Sequence, residues 1–127
     1  MSAQLIMNTL NPQALHGRES GKEIFIEDVS DPDGRMYRIE YKCAPDGTNA
    51  TAYVRYNPWG YNAYSYQQSH LDSADGLICV GKLVNRSNCP YGLEYTVRRA
   101  RTWCTGYSFL REHGYSRTCQ VMPEWAA

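Results

Sequence analysis

No stretch of this 127-residue chain approaches the roughly 18 consecutive apolar residues that a membrane-spanning helix needs. Met1 to Leu10 also lacks the basic start and the apolar core of a secretory signal. The expectation is a cytoplasmic protein with no membrane partner. Nor is charge of either sign in excess. Thirteen Lys and Arg face thirteen Asp and Glu, so no overall field draws the chain onto nucleic acid or anionic lipid. The five cysteines (Cys43, Cys79, Cys89, Cys104, Cys119) are odd in number and form no C-x-x-C pair, which removes the zinc and dithiol-redox signatures. In a reducing cytosol most of them are expected to be free thiols. No cofactor or metal signal remains.

What the chain has in quantity is tyrosine, eleven in all. Tyr53, Tyr56, Tyr61, Tyr64 and Tyr66 lie close together with Trp59. Interleaved aromatics can stack bases, but single-strand binders add a basic groove, and this segment offers only Arg55. A tyrosine-rich loop wrapped over a core or against a partner is the simpler reading. The length fits one domain over residues 1–127, able to bury about two-thirds of its unfolded surface.

Leu5, Ile6 and Leu10 predict a short helix that Asn11-Pro12 ends. Glu23 to Val29 is mainly apolar and β-branched, and Asp31-Pro32-Asp33-Gly34 turns the chain back. Tyr37, Ile39, Tyr41 and Cys43 then alternate with polar neighbours, the period of a strand with one buried face. After a second reversal at Pro45-Asp46-Gly47, Ala52, Val54 and Tyr56 alternate with Thr51, Tyr53 and Arg55 until Asn57-Pro58-Trp59-Gly60. Strands joined by such short turns predict an antiparallel meander. From Tyr61 to Asp75 no period is sustained, and so long a loop inside a compact domain is more often functional than not.

Pro90 opens the strongest helical pattern, with Asn88 or Cys89 as its cap. Leu93, Val97, Ala100, Trp103, Cys104, Tyr107 and Leu110 trace one apolar face through to Glu112, and Gly114 ends it. Cys104 lies on that face and reads as a core thiol; Arg98, Arg99 and Arg101 read as a solvated face. Gly106, inside the helix, costs about 1 kcal/mol against alanine, and nothing in the sequence accounts for it. From Tyr115 the chain reads as an irregular tail anchored by Met122 and Trp125.

One cysteine is set differently. The run from His70 to Val80 places Cys79 in a loop, nine residues after a histidine and three after a chain-reversing glycine, open to solvent near the start of the helix. A thiol displayed in this way suits acyl chemistry, in which the thiolate attacks. His70 could order the loop through a hydrogen bond or move a proton. Asp72 and Asp75 could deprotonate or orient an attacking amine, or simply build the turn beside Gly76.

Meander, long loop, histidine, glycine three before a cysteine, then a proline opening an amphipathic helix: in this order the elements resemble a ubiquitin-conjugating enzyme. That family's active-site segment reads His-Pro-Asn, several residues, then Gly-x-Ile-Cys-Leu. Here it reads His70-Leu71-Asp72, then Gly76-Leu77-Ile78-Cys79-Val80, with Cys89-Pro90 before the helix. Asn57-Pro58-Trp59-Gly60-Tyr61 is similar to the segment with which the family leaves its third strand. The resemblance covers roughly residues 23–112, the implied core of the domain, and implies an α+β fold, a four-stranded antiparallel meander packed on a long central helix, with a shortened carboxy terminus. It implies Cys79 as the thioester-forming nucleophile, with His70 and Asp72 at the family's histidine and asparagine positions. The implied partner is a protein with an acylated carboxy terminus, either ubiquitin-like or the cyclic-nucleotide synthase (a nucleotidyltransferase) of a bacterial antiphage system, with or without a separate activating enzyme.

The departures bear on mechanism. The spacing from His70 to Cys79 is one residue shorter than the family's, and the usual tryptophan after the cysteine and one or two carboxy-terminal helices are missing. Asp72 stands where the family has asparagine, and an ionised carboxylate has no proton for an oxyanion. Ser73, Asn85, Asn88 or backbone amides near Cys79 would have to substitute. Two other readings stay open: a non-catalytic binding module that recognises a ubiquitin-like tail or the synthase, and a cysteine hydrolase. The hydrolase needs His16, His70 or His113 within hydrogen-bond reach of Cys79.

Overall fold

The computed structural model describes residues 1–81 and 89–126. A first helix, α1 (Ala3–Leu10), precedes four strands: β1 (Leu15–Glu19), β2 (Lys22–Ser30), β3 (Met36–Cys43) and β4 (Thr51–Tyr56). A single-turn helix, α2 (Tyr66–Ser69), leads to two very short strands, β5 (Leu71–Asp72) and β6 (Leu77–Ile78). The long helix α3 (Leu93–His113) is followed by α4 (Tyr115–Val121) and one 3-10 turn, Pro123–Trp125. The class is α+β: every strand pair is antiparallel, and the order β1-β2-β3-β4-β6-β5 makes one six-stranded sheet with α3 packed against it. Among the described residues no helix is long and apolar enough to cross a membrane.

The alternation in β3 is realised as expected, with Tyr37, Ile39, Tyr41 and Cys43 fully buried. β4 does not keep its alternation: Thr51, Ala52 and Tyr53 are all buried, Val54 is half-buried, and Arg55 and Tyr56 are exposed. Ile39 pairs with Val54 but Arg38 pairs with Tyr56, so Arg55 is an extra residue on β4. A bulge of this kind turns the following side chain to the other face, and Tyr56 emerges 60% exposed. The four-stranded meander exists, but its first strand is β1, whose residues Leu-His-Gly-Arg-Glu are all exposed and carry no buried period. It is joined to β2 by Ser20 and Gly21, both left-handed, the two-residue hairpin loop whose twist matches the strands.

Helix α3 begins at Leu93, three residues beyond Pro90. Gly92 is its N-cap, and the first turn is fixed from outside, Leu93 N donating to Gly47 O at 2.8 Å. Cys89 is not the cap; it is buried and its thiol donates to Ala50 O at 2.9 Å. Asn88 lies outside the described residues. The expected apolar face is buried throughout, from Leu93 and Val97 to Tyr107 and Leu110. Of the three arginines expected in solvent, Arg98 and Arg99 are exposed. Arg101 is not: its Nε and Nη2 donate to the buried Glu27 at 2.9 and 2.8 Å, and Asn11 and Tyr41 complete that carboxylate's shell. The tail is ordered as α4 because Tyr115, Thr118 and Met122 fall on one side of a helix, against the core. Trp125 is an anchor as expected, 6% exposed.

Candidate active site

The hairpin of β5 and β6 decides where the sulfur goes. Leu71 pairs with Ile78 and Asp72 with Leu77; one step along the same ladder, Cys79 N donates to His70 O at 2.9 Å. His70 and Cys79, nine residues apart in sequence, therefore oppose one another across two strands, where paired side chains share a face. The turn between them is built by the two aspartates. Asp72 Oδ1 accepts from Ala74 N, and Asp75 Oδ1 from Leu77 N, both at 3.0 Å. Gly76 closes the turn in the left-handed region (φ +83°), and a Cβ there would lie 2.5 Å from the Val54 carbonyl oxygen of β4. Glycine is what lets the hairpin seat on the sheet.

His70 reaches the site as the left-handed C-cap of α2 (φ 56°, ψ 30°). The Ser65–Gln68 capping box defines that single turn. The residue before His70 is clamped: Ser69 is buried, its carbonyl accepts from Trp103 Nε1 at 2.9 Å, and its hydroxyl accepts from Asn62 Nδ2 at 3.1 Å. Asn62 also reaches Ser73 Oγ at 3.3 Å, tying the tyrosine-rich loop to the hairpin. The imidazole Nε2 lies 3.3 Å from Trp125 O, and its ring meets the Trp125 indole edge-on with centroids 4.7 Å apart.

Cys79 is half-buried and lines a pocket of about 60 Å3 together with His70, Arg99, Thr102, Trp103, Glu124 and Trp125. Pockets that enclose small molecules are several hundred Å3, so this one admits only a slim group, such as the end of a chain laid over its rim. The sulfur is not open at the start of α3, as the sequence led us to expect. Arg99, Thr102 and Trp103 belong to its second and third turns, beyond the reach of the helix N-terminal field. The Cys79 thiol is nonetheless held below its ordinary value, first by the hydrogen bond with His70; burial opposes this, and the Tyr66 side chain and Gly81 backbone add to it. His70 is raised in turn by the same bond to Cys79, against burial, with the Trp125 carbonyl supporting it and Arg99 opposing it. The two shifts share one cause, the bond between the thiol and the imidazole, and together they ease transfer of the thiol proton to the ring.

No protein-family model matches this chain, and no curated protein or solved structure is significantly similar to it. The site must be read from its own geometry.

The remaining candidates fall elsewhere. Burial pushes Cys43 up to about 12 and raises Cys89 and Cys104, so these thiols are inert at neutral pH. Cys104 is fully buried on α3. His16 stacks on Phe25 and meets Glu23 on the outer strands, and His113 lies beside Phe109 and Glu112 at the end of α3. Of the three histidines only His70 is brought to Cys79. Asp72 is half-buried in the turn and does not line the pocket. Ser73 is held by Asn62, and Asn85 and Asn88 lie outside the described residues. Tyr66, Asn62, Trp125 and Glu124 complete the surroundings, and sequence alone did not single them out for the site.

Proposed function

We propose that this protein is an acyl-transfer enzyme, similar in layout to a ubiquitin-conjugating enzyme, that carries the carboxy-terminal acyl group of another protein on Cys79 and passes it to an amine. The observation that carries this reading is the Cys79–His70 pair, opposed across the β5–β6 hairpin with the thiol acidified. The order of elements supports it too: amino-terminal helix, four-stranded meander, cysteine-bearing hairpin, long helix on the sheet. The narrow pocket suits an extended chain end. In the first step the thiol proton moves to the imidazole and Sγ attacks the donor's carbonyl carbon. The C–S bond forms as the donor's leaving group departs, taking the proton back from His70. An amine then attacks the same carbon and gives its proton to His70 as Sγ leaves as thiolate; that proton returns from the imidazole to the sulfur, restoring the starting pair. Asp72 offers no proton to the oxyanion; among the described residues the Tyr66 hydroxyl beside the sulfur and the Arg99 guanidinium lining the pocket are donors that could serve. A cytoplasmic bacterial antiphage setting, with a nucleotidyltransferase or ubiquitin-like protein as donor, belongs to the same proposal and rests on the resemblance.

A second reading is favoured by one observation. The contact between His70 and Cys79 is what a cysteine hydrolase requires, and there water replaces the amine in the second step. One experiment separates the two. The protein is incubated with a glycine-ended peptide mercaptoethanesulfonate thioester and followed by intact mass, with and without added lysine. A reductant-sensitive adduct that requires Cys79 and is discharged by lysine is the expected result. Discharge at the same rate in water alone selects the hydrolase. An adduct that survives Cys79→Ala but is lost in Cys104→Ala refutes both.

A further inference from the structure

Gly106 and Trp125 have so far only structural parts, and they lie together. A Cβ on Gly106 would sit 2.7 Å from Trp125 Cε2 and 2.9 Å from its Nε1, so the indole presses straight onto the backbone of α3 where any larger residue would bar it. The glycine that weakens the helix is thus the seat of the tryptophan. The 3-10 turn, with Trp125 N donating to Met122 O at 2.9 Å, aims the next carbonyl at the hairpin, where it meets His70 Nε2 at 3.3 Å.

We propose that the Trp125 main-chain carbonyl, seated over α3 by the indole on Gly106, is a positioning group that fixes His70 with its proton on Nε2 and its lone pair on Nδ1 facing Cys79. This inference rests on the reading of Cys79 as the nucleophile. A carbonyl can only accept, so the nitrogen that faces it must carry hydrogen, and the neutral ring then has one acceptor left. The thiol proton passes from Sγ to Nδ1, giving an imidazolium whose Nε2–H still donates to Trp125 O. When the leaving group departs, the proton returns from Nδ1 and the starting tautomer is restored. Nucleophile, base and orienting acceptor form one chain, with main chain in the place usually taken by a side-chain carboxylate or amide. The charged and titratable groups that face His70 are Cys79 on the hairpin, Arg99 on α3, Glu124 in the 3-10 turn and, beyond the sulfur, Tyr66.

The test is the pH profile of Cys79 alkylation by iodoacetamide, read site by site by mass spectrometry, in the wild type, Trp125→Ala and Trp125→Phe. Trp125→Ala should move the midpoint up toward that of an ordinary thiol and slow alkylation several-fold near pH 6.5. Trp125→Phe keeps a ring on Gly106, and so the carbonyl in place, and should restore the wild-type profile. A folded Trp125→Ala protein with an unchanged midpoint overturns the inference. A wild-type midpoint no lower than that of a free thiol overturns instead the reading of Cys79 beneath it. Should Trp125→Ala fail to fold, nitrogen-15 spectra of histidine in the wild-type protein, alkylated at Cys79 and held above the imidazole titration, decide. The proton is expected on Nε2 of His70, and finding it on Nδ1 refutes the proposal.

Discussion

Replacing Gly76 by alanine tests how the fold makes the site. Alanine in the left-handed region costs about 1–2 kcal/mol. Its Cβ would also meet Val54 O at 2.5 Å, and that oxygen cannot withdraw because β4 is held between β3 and β6. The hairpin must therefore lift, losing the bond from Val54 N to Gly76 O at 2.8 Å, a further loss of about 1 kcal/mol. The total, about 2–3 kcal/mol, is a large share of the 5–15 kcal/mol that ordinary domains possess. Urea denaturation measures it as a lowered midpoint. Because the damage is confined to the strands that oppose His70 and Cys79, the folded variant should also alkylate Cys79 more slowly at pH 7, even well below the unfolding transition. A variant within about 0.5 kcal/mol of wild type and with unchanged Cys79 reactivity would refute the argument that this turn sets the pair.

Three further outcomes are expected. Arg101→Met leaves the Glu27 carboxylate buried with only Asn11 and Tyr41 as donors, and should cost about 3–5 kcal/mol at pH 7 by denaturant titration. Burial works to raise Glu27, yet Arg101 and its other partners hold it below its usual value; its contribution is thus full above the unfolded pKa of about 4.3 and fades as pH falls through the lower folded value, so the deficit of the variant should shrink in acid. His70→Asn, a residue that tolerates the left-handed cap, should preserve stability while the Cys79 thiol rises toward its ordinary value, lowering the thiolate fraction and the alkylation rate at pH 7. Cys104→Ala should lower stability by about 1–2 kcal/mol through lost packing and leave peptide-thioester loading of Cys79 unchanged.

Strong periods were legible and weak ones were not. The alternation from Tyr37 to Cys43 and the stripe from Leu93 to Leu110 each repeat over several turns or residues, and both are buried as read. β1 has no buried side chain and so no readable period, and its contacts with β2, His16 on Phe25 and Arg18 on Glu23, show only once the strands are paired. β5 and β6 are two residues each, below any detectable period, yet they carry the site. The alternation read in β4 is not realised: Thr51, Ala52 and Tyr53 are all buried, and the bulge at Arg55, a property of pairing with β3, leaves Tyr56 exposed. At the site, Cys79 and His70 were named from the order of residues, whereas their direct opposition depends on a hairpin register that local sequence does not reveal. Arg101 and Trp125 show the same limit: each acts on a partner far along the chain, Glu27 and His70, which only the packed structure brings near.

The central claim is that Cys79 is an activated nucleophile, and competitive labelling tests it most directly. The folded wild-type protein is exposed to a limiting amount of iodoacetamide at pH 7, and the label on each of the five cysteines is quantified. Cys79 should be modified first and well ahead of the rest, with Cys43, Cys89 and Cys104 protected by burial. Label appearing on Cys119 before Cys79, or on both at equal rates, would contradict the account and leave the fold as a binding module rather than a catalyst.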